Sequence, residues 1–418
     1  MTAENSNSPA MMGRWVVLAG VWFLYFSFGL VVQSMAPLVD VMIPDLGISR
    51  SEMGTILGAW QFVYLFAAIP MSLVLERFGE VFALSAGAFL IASSAVLRGF
   101  APDPLMLWMA VAIFGLGGPL ISIGAPKVIS QLFGSQERGF AMGIYMTGPA
   151  LGGIVSLMFT NSVLMPMFDH QWRSIFLLYA GIALLSAFFW LLVNRHFRLS
   201  TNTESQEARS PVGTAVYWRL LKNPMVATVL IMSIGIFTFT HGLNNWLPAI
   251  LVAKGMTPVA AGYWASVPAV IGVFASLTVP RLARSGRQYL IFSCLCLVAL
   301  VATLALFSGE GYLLMIGLVA QGVARGALMT LAILVLMESR AVGSRFIGAA
   351  SGLFFTLAEI GGVAGPVGIG VLADRYGHFD ASLYGLVVVC VLLILLSLIV
   401  RHLGSAAGET TQNTENTR

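Results

Sequence analysis

The sequence has very little charge: of its 418 residues, only 10% are Asp, Glu, Lys or Arg. Soluble domains carry about 25% charged and about 45–50% apolar residues, whereas 58% of this chain is hydrophobic and its mean hydropathy is +0.88. This composition argues against a soluble enzyme or binding domain. The apolar runs are continuous and lack the period-two alternation of membrane barrel strands, so a membrane β-barrel is not expected.

Cysteine is also scarce, and the three present lie in apolar stretches without a Cys-x-x-Cys pair or a histidine-rich tract: Cys294, Cys296 and Cys390. We interpret them as packing residues and predict no metal site and no cofactor. HExxH, GxSxG, paired aspartates in apolar runs and a phosphate-binding loop are all missing, so we expect neither an enzyme nor ATP-driven chemistry. The basic residues are scattered, so nucleic acid is not an expected partner.

The sequence does contain long apolar runs. A spanning helix needs about 20 apolar residues, and a window of ~19 residues predicts twelve such helices, near 15–38, 52–75, 81–100, 105–132, 139–163, 172–193, 223–249, 257–280, 288–308, 312–338, 346–373 and 382–401. The predicted fold is an all-α membrane protein with two pseudo-symmetric six-helix bundles. The first run follows a polar start and continues for a full span, so no cleaved signal peptide is expected.

A wide polar interval divides the chain into similar halves, each with a glycine-rich fifth helix. The predicted segments are an amino-terminal tail (1–14), a first bundle (15–193), a connector (194–222), a second bundle (223–401) and a disordered tail (402–418). Such a two-fold repeat is typical of a transporter that rocks about a site near the bilayer midplane.

The distribution of Lys and Arg predicts the orientation. With the amino terminus placed inside, 15 of the 22 basic residues fall in inner segments, 2 fall within spans, and 5 fall in outer segments, namely Arg50, Arg98, Arg173, Lys254 and Arg375. Because inner loops of membrane proteins are enriched in Lys and Arg, we expect an inner (cytoplasmic) membrane protein with both termini in the cytoplasm.

Two motifs resemble those of the major facilitator superfamily. The loop after predicted helix 2, SLVLERFGE, resembles that family's G-x-x-x-D-R-x-G-R signature through Glu76, Arg77 and Gly79, with Ser72 and Glu80 as departures. Predicted helix 5 contains GPALGG, which resembles the G-P-x-x-G-G motif associated with antiporters and comprises Gly148, Pro149, Gly152 and Gly153. The second copy of the loop keeps only Arg284, Gly286 and Arg287.

Segments NWLP (245–248) and GAPKVI (124–129) are similar to the superfamily's cyanate-permease and organic anion branch. The resemblance covers all twelve predicted helices. It implies the major facilitator fold, alternating access, a gating role for the loop, and a cavity lined by predicted helices 1, 4, 7 and 10.

Three charged side chains lie inside predicted spans: Lys127, Arg325 and Glu359. A charge at the bilayer centre is costly, so each needs a partner or water. Arg325 either forms a structural ion pair with Glu359 or anchors an anionic substrate while Glu359 carries a coupling proton. Lys127 either joins the substrate site or extends towards the membrane surface.

Polar residues recur at helical spacing on the cavity-lining helices that the resemblance implies. The predicted substrate-binding set is Tyr25, Gln33, Lys127, His241, Asn244, Asn245, Gln321 and Arg325; the alternative is hydrogen bonding between helices. Four small-xxx-small pairs predict close helix packing: Gly139/Gly143, Gly148/Gly152, Gly348/Gly352 and Gly361/Gly365.

Together these features predict a secondary active transporter of a small organic or pseudohalide anion, driven by proton coupling or exchange. Two alternatives stay open: a proton-coupled exporter of drug-like or amphipathic compounds, and a membrane sensor that does not transport. The expected partners are a small anionic substrate and the lipid bilayer, and a monomer is expected.

Overall fold

A computed structural model of the chain describes residues 8–197, 214–283, 287–309, 311–339 and 341–415. Within these ranges nearly every residue is helical and none forms a strand. Eleven of the described helices are long and apolar enough to cross a membrane. One of them, Arg50–Phe100, has 51 residues, about 75 Å at 1.5 Å per residue, which exceeds twice the ~30 Å hydrocarbon core. Its backbone breaks at Gly79 (φ 79°, ψ 171°), so it supplies two crossings, and the predicted twelve spans are confirmed.

The chain divides into two compact units. Unit 1 comprises Met1–Ile48, Thr55–Ser205 and Pro258–Tyr263. Its helices are α1 (Ser8–Gln33), α2 (Val39–Leu46), most of α3 (Arg50–Phe100), α4 (Pro104–Leu132), α5 (Ser135–Phe159), α6 (Met165–Met167) and α7 (Trp172–Phe197). A 3₁₀ turn (Ala36–Leu38) links α1 to α2, and a π-helical turn (Thr160–Leu164) follows α5.

Unit 2 comprises Ser49–Gly54, Gln206–Thr257 and Trp264–Arg418. Its helices are α8 (Thr214–Lys222), α9 (Pro224–Ala253), most of α10 (Pro258–Leu282), α11 (Gln288–Ala305), α12 (Gly311–Glu338), α13 (Gly343–Tyr376) and α14 (Asp380–Glu415). The first turn of α3 belongs to unit 2, where the Asp374 carboxylate at the end of α13 accepts hydrogen bonds from the backbone N–H groups of Arg50 and Ser51.

Local sequence signals explain where two of the spanning helices begin. The side chain of Asp103 accepts a hydrogen bond from the Met106 backbone N–H at 2.8 Å, and that of Asn223 accepts one from Val226 at 3.1 Å. Proline follows each cap at the first helical position, where its missing N–H costs nothing. These caps fix the starts of α4 and α9.

Glycine lets two pairs of helices approach closely, one pair in each unit. In unit 1, a Cβ atom on Gly148 would lie 2.8 Å from the Trp22 carbonyl oxygen of α1, and one on Gly152 would lie 2.6 Å from the Leu30 nitrogen. In unit 2, a Cβ atom on Gly365 would lie 2.5 Å from the Thr238 carbonyl oxygen of α9. We call these contacts the α1–α5 seam and the α9–α13 seam, and both lie inside a single unit.

The other two glycine pairs do not form seams. A Cβ atom placed on Gly139, Gly143, Gly348 or Gly352 would have no heavy atom of a neighbouring described residue within 4 Å. Their predicted close packing is therefore wrong. A small-xxx-small spacing places two glycines on one helix face, but the spacing does not determine whether that face meets another helix.

Arg98 was expected in an outer segment, but the structure buries it in unit 1 with only 1% of its surface exposed. Its Nη1 donates to the Val31 carbonyl oxygen at 3.0 Å and to Ser34 Oγ at 3.3 Å, and its guanidinium lies 5.6 Å from the centre of the Phe114 ring. Val31 lies in the last turn of α1, where carbonyl groups give the helix end a partial negative charge. The arginine therefore compensates a helix end, and this need overrides its preference for water.

Ion pairs join the first and last spanning helices of each unit. In unit 1, Arg173 at the start of α7 lies 2.7 Å from the carboxylate of Asp45 in α2. In unit 2, Lys254 directly after α9 lies 2.6 Å from the carboxylate of Asp380 at the start of α14. The two contacts occupy equivalent places in the repeat.

Two predicted segments differ from the structure or lie partly outside it. Helix α14 continues to Glu415, where disorder was predicted for 402–418. No proline interrupts the stretch, so nothing in its backbone prevents the helix from continuing. Of the predicted connector 194–222, residues 198–213 lie outside the described ranges, as do residues 1–7 of the amino-terminal tail and Arg284 and Gly286 of the second loop copy.

Candidate functional site

Arg325 lies at the middle of α12 in unit 2 and is partly buried. Among the described residues, no carboxylate oxygen lies within 4.0 Å of its guanidinium. Helix α12 packs against α9, which carries His241, also partly buried. A guanidinium inside a membrane protein without an acidic partner is a strong attractor for an anion.

The polar residues predicted around Arg325 differ in how they are used. Asn245 is buried, and its side-chain amide donates to the His241 carbonyl oxygen at 2.8 Å, so that donor is bonded to its own helix. His241 packs against the Phe237 ring with a centroid distance of 5.1 Å, while Asn244 is partly buried. Gln321 is buried one turn before Arg325, and its Oε1 has no hydrogen-bond partner in the described part of the chain. Unit 2 therefore brings His241, Asn244, Gln321 and Arg325 to the middle of α9 and α12.

Glu359 lies at the middle of α13, with 6% of its surface exposed. It does not form the predicted ion pair with Arg325, since no Lys, Arg or His nitrogen of the described residues lies within 4.0 Å of its carboxylate. Gly361 contacts α9, and successive helical residues turn by about 100°, so Glu359 faces a different side of α13 from the α9–α13 seam. The interpretation of Arg325 and Glu359 as a structural ion pair is therefore wrong.

Unit 1 contains a group of aromatic rings around Tyr25 of α1. Tyr25 of α1 is buried, stacks on Phe28 at 5.6 Å and meets Tyr145 edge-on at 5.4 Å. Phe114 lies 5.0 Å from Phe28 and 5.7 Å from Trp60. We call these five residues the aromatic cluster. The predicted Gln33 is buried at the last residue of α1, and its side chain would lie 3.7 Å from a Cβ atom on Gly153.

Lys127 of α4 has a partner that the sequence analysis missed. Its Nζ lies 2.8 Å from Oε1 of Glu80, and Gln131 donates to the same oxygen at 3.0 Å. The Glu80 side chain is 7% exposed and that of Lys127 is 37% exposed. The sequence contained a signal for this pair. A lysine in a span needs an acidic partner or water, and Glu80 is an acid at the position where the loop motif has a basic residue. Because Glu80 neutralises Lys127, we exclude Lys127 from the proposed anion site.

The loop residues Glu76 and Arg77 are exposed beside the break in α3. Gly79 occupies a positive φ that L side chains rarely adopt, which explains the glycine of the motif. Among the described residues, neither Glu76 nor Arg77 forms an ion pair within 4.0 Å, and the Arg77 guanidinium lies over the Phe78 ring at 5.4 Å. Their gating role stays a prediction.

The described residues contain no group of three or more His, Cys, Asp or Glu side chains that could hold a metal ion. The arrangement in unit 2 is instead suited to non-covalent binding, because one guanidinium, one imidazole and two amides lie near the middle of the neighbouring helices α9 and α12. These groups can donate hydrogen bonds to an anion and accept them from hydroxyl groups. No nucleophile paired with a base stands among them.

Known proteins resemble the chain over most of its length. The family profile described as Major Facilitator Superfamily matches residues 21–366. GudP of Escherichia coli K12, a probable galactarate/D-glucarate transporter, is 24% identical over 413 residues, covering 88% of this chain and 90% of GudP. A quinolone resistance transporter of Acinetobacter baumannii is 23% identical, covering 85% and 86%. The crystal structure of a bacterial homologue of the human lysosomal transporter Spinster, inward-facing and unoccupied, superposes with a TM-score of 0.71 at 16% identity, covering 93% and 96% of the two chains. That likeness shows a shared fold.

Proposed function

The chain belongs to the Major Facilitator Superfamily, and from this premise we propose that it is a secondary active transporter of a small organic anion, bound through Arg325. The chain is a multi-pass membrane transporter and not an enzyme. The substrate class, the binding residues and the energy source form the proposal. The sequence contains no nucleotide-binding motif, so uphill transport would draw on an ion gradient or on exchange.

One observation carries the proposal: the guanidinium of Arg325 stands in the middle of α12 with no carboxylate within 4.0 Å among the described residues. An isolated positive charge in a low-dielectric surrounding is unfavourable when the site is empty. An entering anion is attracted and also relieves that cost. A carboxylate fits best because the planar guanidinium can bind it through two parallel hydrogen bonds.

The residues near Arg325 support an organic acid as the substrate more than a pseudohalide. His241, Asn244 and Gln321 offer amide and imidazole groups that can bond to hydroxyl groups of a substrate. The relative GudP is named for galactarate and D-glucarate, which are hydroxylated acids. We therefore propose a hydroxylated or simple carboxylate as the substrate.

A second candidate is export of drug-like compounds. It is favoured by the aromatic cluster of unit 1 and by the similarity to the quinolone resistance transporter. Aromatic faces bind apolar and cationic compounds without needing Arg325. The two candidates therefore differ in whether Arg325 is required.

The decisive experiment measures ligand-induced thermal stabilisation and uptake into proteoliposomes with D-glucarate, cyanate and a fluoroquinolone as probes. We expect D-glucarate to stabilise the wild type, Arg325→Gln to abolish this effect, and Arg325→Lys to weaken it because the charge stays but the two-bond geometry is lost. Arg375→Gln, which removes an exposed arginine from the end of α13, is the matched control and should bind as the wild type does. Undiminished D-glucarate binding by Arg325→Gln would contradict the proposal, and binding of the fluoroquinolone alone would favour the second candidate.

We also propose an inner-membrane location with both termini in the cytoplasm, supported by the distribution of basic residues. Tags at residue 205 and at the carboxyl terminus should then be accessible only from the cytoplasm, and a reporter at Lys254 only from outside. Cleavage of the connector 194–222 by a protease added from outside would contradict this orientation.

A further inference from the structure

Glu359 is a buried acid to which the substrate site assigns no task. It lies halfway along the spanning helix α13 with 6% of its surface exposed. Its Oε2 atom is buried without a hydrogen-bond partner in the described part of the chain. An ionised carboxylate in such a place would lose its hydration and gain nothing in return, and buried acids in this situation become neutral instead.

The charged groups on the helices that pack against α13 do not compensate Glu359. At its depth these helices carry His241 on α9, Arg325 on α12 and Cys390 on α14. No Lys, Arg or His nitrogen of the described residues lies within 4.0 Å of the Glu359 carboxylate. The remaining ionisable groups of these helices and of α13 whose side chains are described lie towards helix ends: Tyr217, Arg219, Lys222, Tyr312, Glu338, Asp374, Arg375, Tyr376, Asp380, Tyr384, Arg401 and His402. The geometry therefore suits a protonated carboxyl group.

A charge count links this acid to the anion site. Lys127 and Glu80 cancel each other, and His241, partly buried in the middle of a span, is counted as neutral because a desolvated imidazole favours its uncharged form. With Glu359 ionised and no substrate, the remaining pair, Arg325 and Glu359, sums to zero. With Glu359 protonated and a monovalent anion bound, the sum is again zero. Either half-loaded state leaves one net charge in the membrane, which is costly.

We propose that Glu359 carries the proton that is transported together with the substrate, one proton for each monovalent anion. This inference rests on the proposed function, since it assumes that Arg325 binds an anion. The proton comes from bulk water on one side, occupies the Glu359 carboxylate, and returns to water on the other side. Because only the empty and the fully loaded states avoid a net charge, neither proton nor anion crosses alone.

The test uses the purified full chain in proteoliposomes with radiolabelled D-galactonate, a monovalent hydroxylated acid for which another relative is named, as the probe. Counterflow at equal pH measures substrate movement, and accumulation under a pH gradient, acid on the side of uptake, measures coupling. One pH unit corresponds to about tenfold accumulation for one proton per substrate charge. We expect Glu359→Gln to retain counterflow and to lose the accumulation, giving a ratio near one. Glu338→Gln, which removes an exposed carboxylate from the end of α12, is the matched control and should accumulate as the wild type does.

Two transport results would overturn the inference. Accumulation by Glu359→Gln equal to that of the wild type would show that the proton travels elsewhere. Loss of counterflow by a correctly folded Glu359→Gln, judged by its melting temperature, would show that Glu359 contacts the substrate. Should the wild type fail to move D-galactonate while D-glucarate is also refused, the proposed function fails. The proton site is then judged by infrared spectroscopy alone, where lowering the pH should produce the carbonyl band of a protonated carboxyl group in the wild type and not in Glu359→Gln. Absence of that band overturns the inference whatever the substrate.

Discussion

Replacing Gly152 by alanine adds one methyl group to the α1–α5 seam. The new Cβ atom would lie 2.6 Å from the Leu30 nitrogen and closer still to the Phe26 carbonyl oxygen. Both atoms belong to the backbone of α1, so no side chain can rotate away. To reach an ordinary van der Waals distance of 3.4 Å, the two helices must separate by at least 0.8 Å at this point.

The size of the effect follows from packing. Forcing extra volume into a well-packed contact costs about 1–3 kcal/mol, while replacing glycine by alanine inside a helix returns about 0.5–1 kcal/mol through lower backbone entropy in the unfolded state. At Gly143, on the same helix α5, a Cβ atom would meet nothing within 4 Å. Gly143→Ala therefore keeps only the favourable contribution. We expect Gly152→Ala to destabilise the protein and Gly143→Ala to stabilise it slightly; the entropy contribution is common to both, so the difference is the packing cost of about 1–3 kcal/mol.

Thermal unfolding in detergent, followed by tryptophan fluorescence, measures the difference. A kilocalorie per mole shifts Tm by roughly 2–4 °C for a unit of about 200 residues, so the two variants should melt roughly 2–12 °C apart. Equal melting temperatures would refute the reasoning, because they would show that α1 and α5 can separate without loss. Insertion into the membrane should be unaffected in both variants, since neither changes the apolar length of α5.

Two further predictions concern buried charges in unit 1. Glu80→Gln should lower stability by roughly 1–2 kcal/mol, less than for a fully buried pair because Lys127 is 37% exposed. The double variant with Lys127→Met should regain part of that loss. A double-mutant cycle of melting temperatures measures the coupling between the two residues, and strictly additive losses would contradict the ion pair. Arg98→Met should lower stability by roughly 2 kcal/mol, because the charged hydrogen bond to the Val31 carbonyl oxygen at 3.0 Å is lost. The measurement is the fall in Tm relative to the exposed control Arg77→Met. An equal Tm for the two variants would show that Arg98 does not compensate the end of α1.

The spans could be predicted from the sequence because a membrane imposes a direct length requirement on each apolar helix. The break in α3 could be predicted as a loop because Glu76 and Arg77 interrupt the apolar run. The depth of Arg325 and Glu359 followed from counting residues to the ends of their spans. These properties depend on position along the chain and not on which neighbours a side chain meets.

The contacts between helices could not be predicted, because they depend on how each helix is rotated about its own axis. Rotation brings Glu80 beside Lys127, places Arg98 under the end of α1, and leaves the glycines at positions 139 and 143 without a neighbour. The same rotation separates Glu359 from Arg325. Sequence spacing fixes which residues share a face, and a second helix is needed to decide what the face touches.

The two ion pairs at the helix ends bear on how the duplicated halves diverged. In unit 1 the acid, Asp45, precedes the base, Arg173; in unit 2 the base, Lys254, precedes the acid, Asp380. If both halves descend from one ancestral repeat, the contact persisted while its polarity was inverted. Any route through single substitutions would have passed through a like-charge or unpaired intermediate, which the unit 1 pair, with side chains 36% and 45% exposed, tolerates at about 0–1 kcal/mol. A chain with Lys254→Asp and Asp380→Lys should keep the contact but melt slightly below the natural one, because Lys254 is only 19% exposed and the exchange places an acid at the end of α9 and a base at the start of α14.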